Sequence, residues 1–440
     1  MEDSRRRVDD PRSCGGAFPR AALAATALFL LLGTHQRVGG WNDASRLAMV
    51  EALVEHGRLA VDGTAMGRIT GDVARIDGRF YSDKPPALAL LAVPVYAVEA
   101  RLGITFATAR PRAYYWTTLL TVGLTTLLGL VALERFLRRI VADPRWRAAT
   151  VAGIAFGTLN TSYSITFSNH PPAATALLAG TLLLWRWRRF GAGLASVAAG
   201  AALVGIAALT DHGAAFFAPA LAAYLGWPGA PRRLPAVLVF ATIVGVALAA
   251  YAAYAFALSG SPLPLSLQPR LFEYPGSYFA GSAHLAGSSL PHGTASALLA
   301  YAGLCLVGRR GLFSHTPTLL FVLLGMLRCA LDRTYAWRAE VWAVLIPTCV
   351  LVAYYLVTST DAGGNAYGVR WFCLFIPLAY VFLADAYGRL RSRHGRTLFW
   401  VAYAVSIPLA LIGALDPWLD FSRYGTGFSW VLVLRSRGWL

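Results

Sequence analysis

Lysine is almost missing from this sequence: of 39 basic side chains 38 are arginine, and the one lysine is Lys84. Charge of any kind is scarce. Only 14% of the 440 residues are charged while 57% are hydrophobic, a balance that cannot cover a soluble protein of this length and makes the bilayer part of its solvent. The five cysteines (Cys14, Cys305, Cys329, Cys349, Cys373) form no CxxC pair and no zinc-ligand spacing, so they say nothing about redox compartment. There is no P-loop, no GxGxxG and no Gly-x-Ser-x-Gly. A phosphate cradle of the nucleotide-binding kind and a hydrolase nucleophile elbow are thereby excluded, and a nucleotide sugar becomes a poor candidate donor. The net charge of +17 comes from short arginine clusters between apolar segments rather than one basic face, which argues against nucleic acid as a partner.

What the sequence does have is apolar runs, recurring from residue 21 to residue 415 at about the length that crosses a hydrocarbon core roughly 30 Å thick. They predict a single all-α polytopic membrane domain over 1–440, with spans at 21–36, 114–134, 148–167, 171–185, 193–209, 213–227, 234–258, 313–331, 340–358, 370–387 and 397–415. No cleavage site follows the first run, so it reads as a retained helix. Two further apolar pieces, 85–100 with its internal Pro94 and the short 295–307, read as interfacial, although counting both would give thirteen spans. Arginine excess on the cytoplasmic side of short loops decides the orientation. With eleven spans and the 1–20 tail inside, that side carries 22 arginines against nine carboxylates (+13) and the outer side only +4. The first outer loop, 37–113, the second, 259–312, and the tail from 416 then share one membrane face.

Chemistry concentrates there. The first outer loop opens with Trp41-Asn42-Asp43-Ala44-Ser45-Arg46 and closes with Tyr81-Ser82-Asp83-Lys84-Pro85-Pro86. Between them, Leu47, Val50, Leu53 and Val54 oppose Glu51 and Glu55, the pattern of a helix lying on the membrane surface. A compact ammonium suits a phosphate as a point charge, and the two prolines after Lys84 place it beside a helix start, where anions are favoured. Asp43 fits either a general base or a helix cap for the segment from Ala44.

These residues resemble the GT-C superfamily of membrane glycosyltransferases, in particular the bacterial branch with the lipid A aminoarabinose transferase and relatives of the protein O-mannosyltransferases. The resemblance rests on Asp43 after the first span and on the Tyr81–Pro86 run. It extends to the turn Thr210-Asp211-His212-Gly213, to Arg309-Arg310-Gly311 and to the Gly-rich stretch Gly363–Arg370. It implies a GT-C fold of about eleven spans (eleven to thirteen) with interfacial helices in the first and a later outer loop, in a bacterial inner or plasma membrane. It implies an inverting transfer of a sugar from a polyprenyl-phosphate donor to a lipid, glycan or protein acceptor at the extracytoplasmic face. Asp43 and Asp83 would be the catalytic carboxylates, and Lys84, Arg46, Tyr81, Arg309, Arg310 and Arg370 the phosphate and donor contacts. His170, Asp211 and His212 would line the site, each with a plain reading as a helix-end residue, just as the arginines could anchor to anionic headgroups. The family commonly pairs two acidic residues after the first helix, whereas Asn42-Asp43 offers one, so a divalent metal stays an open question. The competing readings are a lipid or solute transporter or flippase, which calls for ionisable groups near mid-membrane, and a ligase or polymerase using a diphosphate-linked donor.

Overall fold

The computed structural model describes residues 16–230, 232–281, 292–419, 421–425 and 427–440. Arg5, Arg6, Arg7, Arg12, Cys14 and a stretch of the second outer loop lie outside the described residues. The chain is built from helices α1 (Ala17–Gly33), α2 (Trp41–His56), α3 (Ala87–Arg101), α4 (Arg110–Leu137), α5 (Pro144–Phe156), α6 (His170–Phe190) and α7 (Leu194–Thr210). It continues through α8 (Phe217–Gly226), α9 (Arg233–Ser259), α10 (Ala295–Leu306), α11 (Pro317–Leu331), α12 (Arg338–Thr358) and α13 (Arg393–Leu415). Among the described residues α4, α9, α12 and α13 are long and apolar enough to cross a membrane, and α1, α7, α10 and α11 are shorter apolar helices. Large apolar side chains such as Leu32 (75% exposed) and Leu234 (68%) face outward, as lipid solvent allows. Where α6 meets α7, Gly180 and Gly200 bring the two backbones together; a methyl on Gly180 would stand 2.8 Å from the Gly200 carbonyl. Small residues serve this role in membranes because lipid-facing surfaces gain nothing from further hydrophobic burial.

Several expected spans differ. The 370–387 run is not one helix but three short pieces, Arg370–Leu374, Ile376–Tyr380 and Leu383–Gly388. Every residue from Phe372 to Leu383 is buried, so interrupted backbone there is covered by protein rather than lipid. The 148–167 run breaks at Gly157, and 213–227 begins as a tight turn over His212–Phe216 before α8. With 15 and 12 residues, α3 and α10 reach only about 22 and 18 Å, too short to span alone.

The first outer loop departs from the expectation of an all-helical chain. Strands β1 (Val73–Ile76) and β2 (Arg79–Ser82) form an antiparallel hairpin in the register Val73↔Ser82 to Ile76↔Arg79. Its two-residue turn, Asp77 (φ 47°) and Gly78 (φ 80°), uses the left-handed conformations that match strand twist. Nor does α2 lie on a membrane surface, since every side chain from Asp43 to Ala52 is buried. The reason is that α3 covers one side and the loop before the hairpin another. Glu51, expected to face water, instead accepts hydrogen bonds from the main-chain N–H of Ala65 (2.6 Å) and Met66 (2.9 Å).

Candidate active site

Helix α2 begins at Trp41 behind the extended Gly40. That start puts Asp43 inside the first turn, so Asp43 is not the cap of the segment from Ala44. A carboxylate there sits well with the helix dipole, but it is fully buried. Its Oδ2 accepts from Tyr114 Oη (2.7 Å), Trp418 Nε1 (3.0 Å) and Thr166 Oγ1 (3.1 Å), while Oδ1 has no hydrogen-bond partner. Burial pushes the Asp43 carboxyl up to about 6, against the opposing pull of the Tyr114, Thr166 and Trp418 donors and of Arg46. Gly39 is required just before it, because a Cβ there would stand 2.2 Å from the Trp418 indole, and Gly40 packs closely on the same ring.

Arg46 lies three residues further along α2 and therefore on the same face. Its Nη1 donates to the Asn42 carbonyl (2.9 Å), its Nη2 to Asn169 Oδ1 (2.8 Å), and its Nε has no partner. Burial, and then the like charge of Arg370, lower the Arg46 guanidinium to about 10.

The hairpin delivers Asp83 and Lys84 to the opposite wall. Lys84 Nζ sits 2.9 Å from Asp83 Oδ2 and 2.9 Å from Asp72 Oδ2, so the lone lysine is clamped between two carboxylates. Burial, with Asp72 beside it, holds Asp83 above the ordinary carboxylate range, at about 6. Asp72 had not been singled out; its position just ahead of a strand whose Asp77-Gly78 turn is readable in the sequence is the signal that could have found it.

A cavity of about 880 Å³ opens beside these groups, walled by Trp41 and Asn42, by Asp72, Asp83 and Lys84, by Phe272 and Tyr278, by Leu304, Arg309 and Arg310, by Thr360, Asp361 and Arg370, and by Trp418. Of the expected site residues it takes in Asp83, Lys84, Arg309, Arg310 and Arg370. Arg310 is occupied, donating from Nη1 to the carbonyls of Asp361 (2.9 Å) and Gly364 (2.7 Å). Arg370 is not. Its guanidinium lies 4.9 Å from the Trp418 ring, its Nε is buried without a partner, and no carboxylate pairs with it among the described residues.

The remaining expected residues stand back from the cavity. Tyr81 is half-buried on β2 opposite Ala74. His170 Nδ1 pairs with Asp211 Oδ2 at 2.7 Å, both buried, in a layer behind Arg46 that Asn169 joins to it. His212 Nε2 meets the Tyr251 hydroxyl at 3.0 Å. Asp43 and Arg46 also lie one layer behind the wall, Asp43 under Trp418. Among the described residues no three His, Cys, Asp or Glu side chains gather as a metal would need. Asp72 and Asp83 both engage the Lys84 ammonium, so this donor set does not fit a divalent ion.

No known family pattern and no curated protein matches the sequence. Solved structures do match in fold. The oligosaccharyltransferase of Archaeoglobus fulgidus in its apo form superposes with a TM-score of 0.56 at 13% identity over 92% of this chain and 57% of that one. ArnT from Cupriavidus metallidurans bound to undecaprenyl phosphate gives 0.56 at 17% identity over 89% of this chain and 64% of that one. In these two superpositions the chain spans less than two thirds of the other structure's length. Over nearly its whole length it carries the fold of the GT-C membrane glycosyltransferases.

Proposed function

We propose that the chain is an inverting glycosyltransferase that moves a sugar from a polyprenyl-phosphate carrier to an acceptor hydroxyl at the extracytoplasmic face. The acceptor oxygen forms its bond to the anomeric carbon as the bond from that carbon to the phosphate oxygen breaks, the electron pair leaving with the phosphate. The acceptor's proton passes to Asp43 Oδ1. A carboxylate poised at about 6 is ionised at neutral pH yet basic enough to share a proton in the transition state. Arg370 and Lys84, with Arg309 and Arg310 at the rim, stabilise the charge that develops on the phosphate, and Arg46 backs them from the second layer. Since Asp43 lies under Trp418, seating the acceptor requires that indole to give way.

The observation that carries this reading is a pair of unsatisfied groups on either side of Trp418. Among the described residues, one is a buried carboxylate oxygen with no donor and the other a guanidinium with no counter-ion. The test is transfer by the purified protein in detergent with undecaprenyl-phosphate hexoses and pentoses, in parallel with diphosphate-linked versions. Transfer from the monophosphates, lost in both Asp43→Asn and Lys84→Met, is the expected result. Turnover only of diphosphates, or wild-type transfer by both variants, refutes it.

A further inference from the structure

We propose that Asp72 is a positioning residue that fixes the Lys84 ammonium relative to helix α2, and hence relative to Asp43, through a tie made by Ser45. The inference rests on the proposed role of Lys84. Two carboxylates hold that ammonium, but they are not equivalent. Asp83 precedes Lys84 in the chain and moves with it, and its own tie to α2 is a long one, 3.4 Å from Ser45 Oγ to Asp83 Oδ1. Asp72 lies twelve positions away, ahead of β1, and its main chain is anchored. The Asp72 carbonyl accepts from Ser45 Oγ at 2.6 Å, and its N–H donates to Thr70 Oγ1 at 3.1 Å. The Thr70 hydroxyl in turn donates to the Trp41 carbonyl at 3.0 Å. Ser45 Oγ also lies 2.8 Å from Ser82 Oγ, next to the Asp83-Lys84 pair. Helix α2 therefore carries the base, Asp43, and grips the segment that holds the phosphate cation. The path from Ser45 on that helix to the ammonium runs through two polar contacts, Ser45 Oγ to the Asp72 carbonyl and the Asp72 carboxylate to Lys84 Nζ, rather than through the length of the loop.

The same carboxylate has a second effect of opposite sign. Lys84 with Asp72 and Asp83 forms a cluster of net charge −1, and no other cation makes an ion pair with either acid among the described residues. Asp72 places the ammonium, yet it also competes with an incoming phosphate for it. Loss of its charge at constant shape should free the ammonium to bind an anion while losing its alignment with Asp43. An ordinary structural residue has no reason to separate binding from rate in that direction.

Asp72→Asn is the probe, with two readouts: the dissociation constant of undecaprenyl phosphate, and kcat for the best donor of the undecaprenyl-phosphate sugar panel. The expected result is a kcat lower by roughly 10- to 100-fold, the scale of an ångström-size misplacement, with a dissociation constant equal to or tighter than wild type. Asp72→Glu should recover part of the rate. A kcat within threefold of wild type, or binding that weakens in step with the rate, overturns the proposal. Should Asp72→Asn fail to fold, Ser45→Ala leaves both charges and removes the hydroxyl that ties α2 to Asp72, Ser82 and Asp83. It should lower kcat without changing undecaprenyl phosphate binding, and an unchanged kcat overturns the proposal equally. Lys84→Met separates this inference from the reading beneath it. An active Lys84→Met removes the phosphate role of the lysine itself, whereas an inactive one beside a fully active Asp72→Asn removes only the role of Asp72.

Discussion

Replacing Asp43 by asparagine should make the protein both inactive and more stable at neutral pH. The native carboxyl is raised from 3.8 to about 6, chiefly by burial, so ionising it in the folded state costs more than in the unfolded chain. Between those two values the folded protein holds a proton that the unfolded chain has released, and stability falls as pH rises through that window. About two pH units at 1.36 kcal/mol each amount to roughly 3 kcal/mol, fully expressed above pH 6 and absent below about pH 4. Asparagine resembles the neutral acid. It can still accept from Tyr114, Trp418 and Thr166, so at pH 8 the variant should exceed wild type by up to about 3 kcal/mol and approach it near pH 4. Unfolding of the detergent-solubilised protein, followed by tryptophan fluorescence from pH 4 to 8, measures the difference. Transfer measured on the same samples should fall by about 100-fold or more, the lower range for loss of a general base. A variant less stable than wild type at pH 8, or one with the same pH slope, refutes the account of a strained buried charge.

Other outcomes follow from the same contacts. Glu51→Ala leaves two buried main-chain N–H groups without acceptors and should destabilise by about 2–4 kcal/mol, read as a lower denaturation midpoint with the Asp43 site chemically intact. Gly39→Val forces a side chain into the Trp418 indole; it should reduce transfer strongly, and a donor-binding affinity unchanged from wild type would separate loss at Asp43 from loss at the phosphate. Arg370→Met removes a cavity cation that has no counter-ion among the described residues and should weaken undecaprenyl phosphate binding by at least tenfold. A dissociation constant within twofold of wild type would contradict the phosphate role.

Local signals in the sequence carried some of these features and missed others for identifiable reasons. Lys84-Pro85-Pro86 predicts a helix starting at Ala87, and α3 starts there, because proline fixes the backbone without reference to the rest of the fold. Asp77-Gly78 is a hairpin-turn signal of the same local kind, but the expectation of an all-helical chain passed over it. The surface placement of α2 went wrong because spacing cannot distinguish a glutamate facing water from one that accepts two buried N–H groups, as Glu51 does. The 370–387 run is apolar throughout, yet hydropathy does not show that neighbouring helices will cover its interruptions. The pairing of His170 with Asp211 spans 41 residues and that of Asp43 with Trp418 spans 375. Long-range closures of this kind have no local signature.

That last pairing has a bearing on how the protein is made. Tyr114, Thr166 and Trp418 all donate to one oxygen of Asp43, and Trp418 follows α13, the last long helix. During synthesis the acid enters the membrane environment hundreds of residues before its final donor is translated. The shell of Asp43 is therefore completed only after α13 has been made, and a nascent protein arrested before residue 418 holds a carboxylate whose shell is still open.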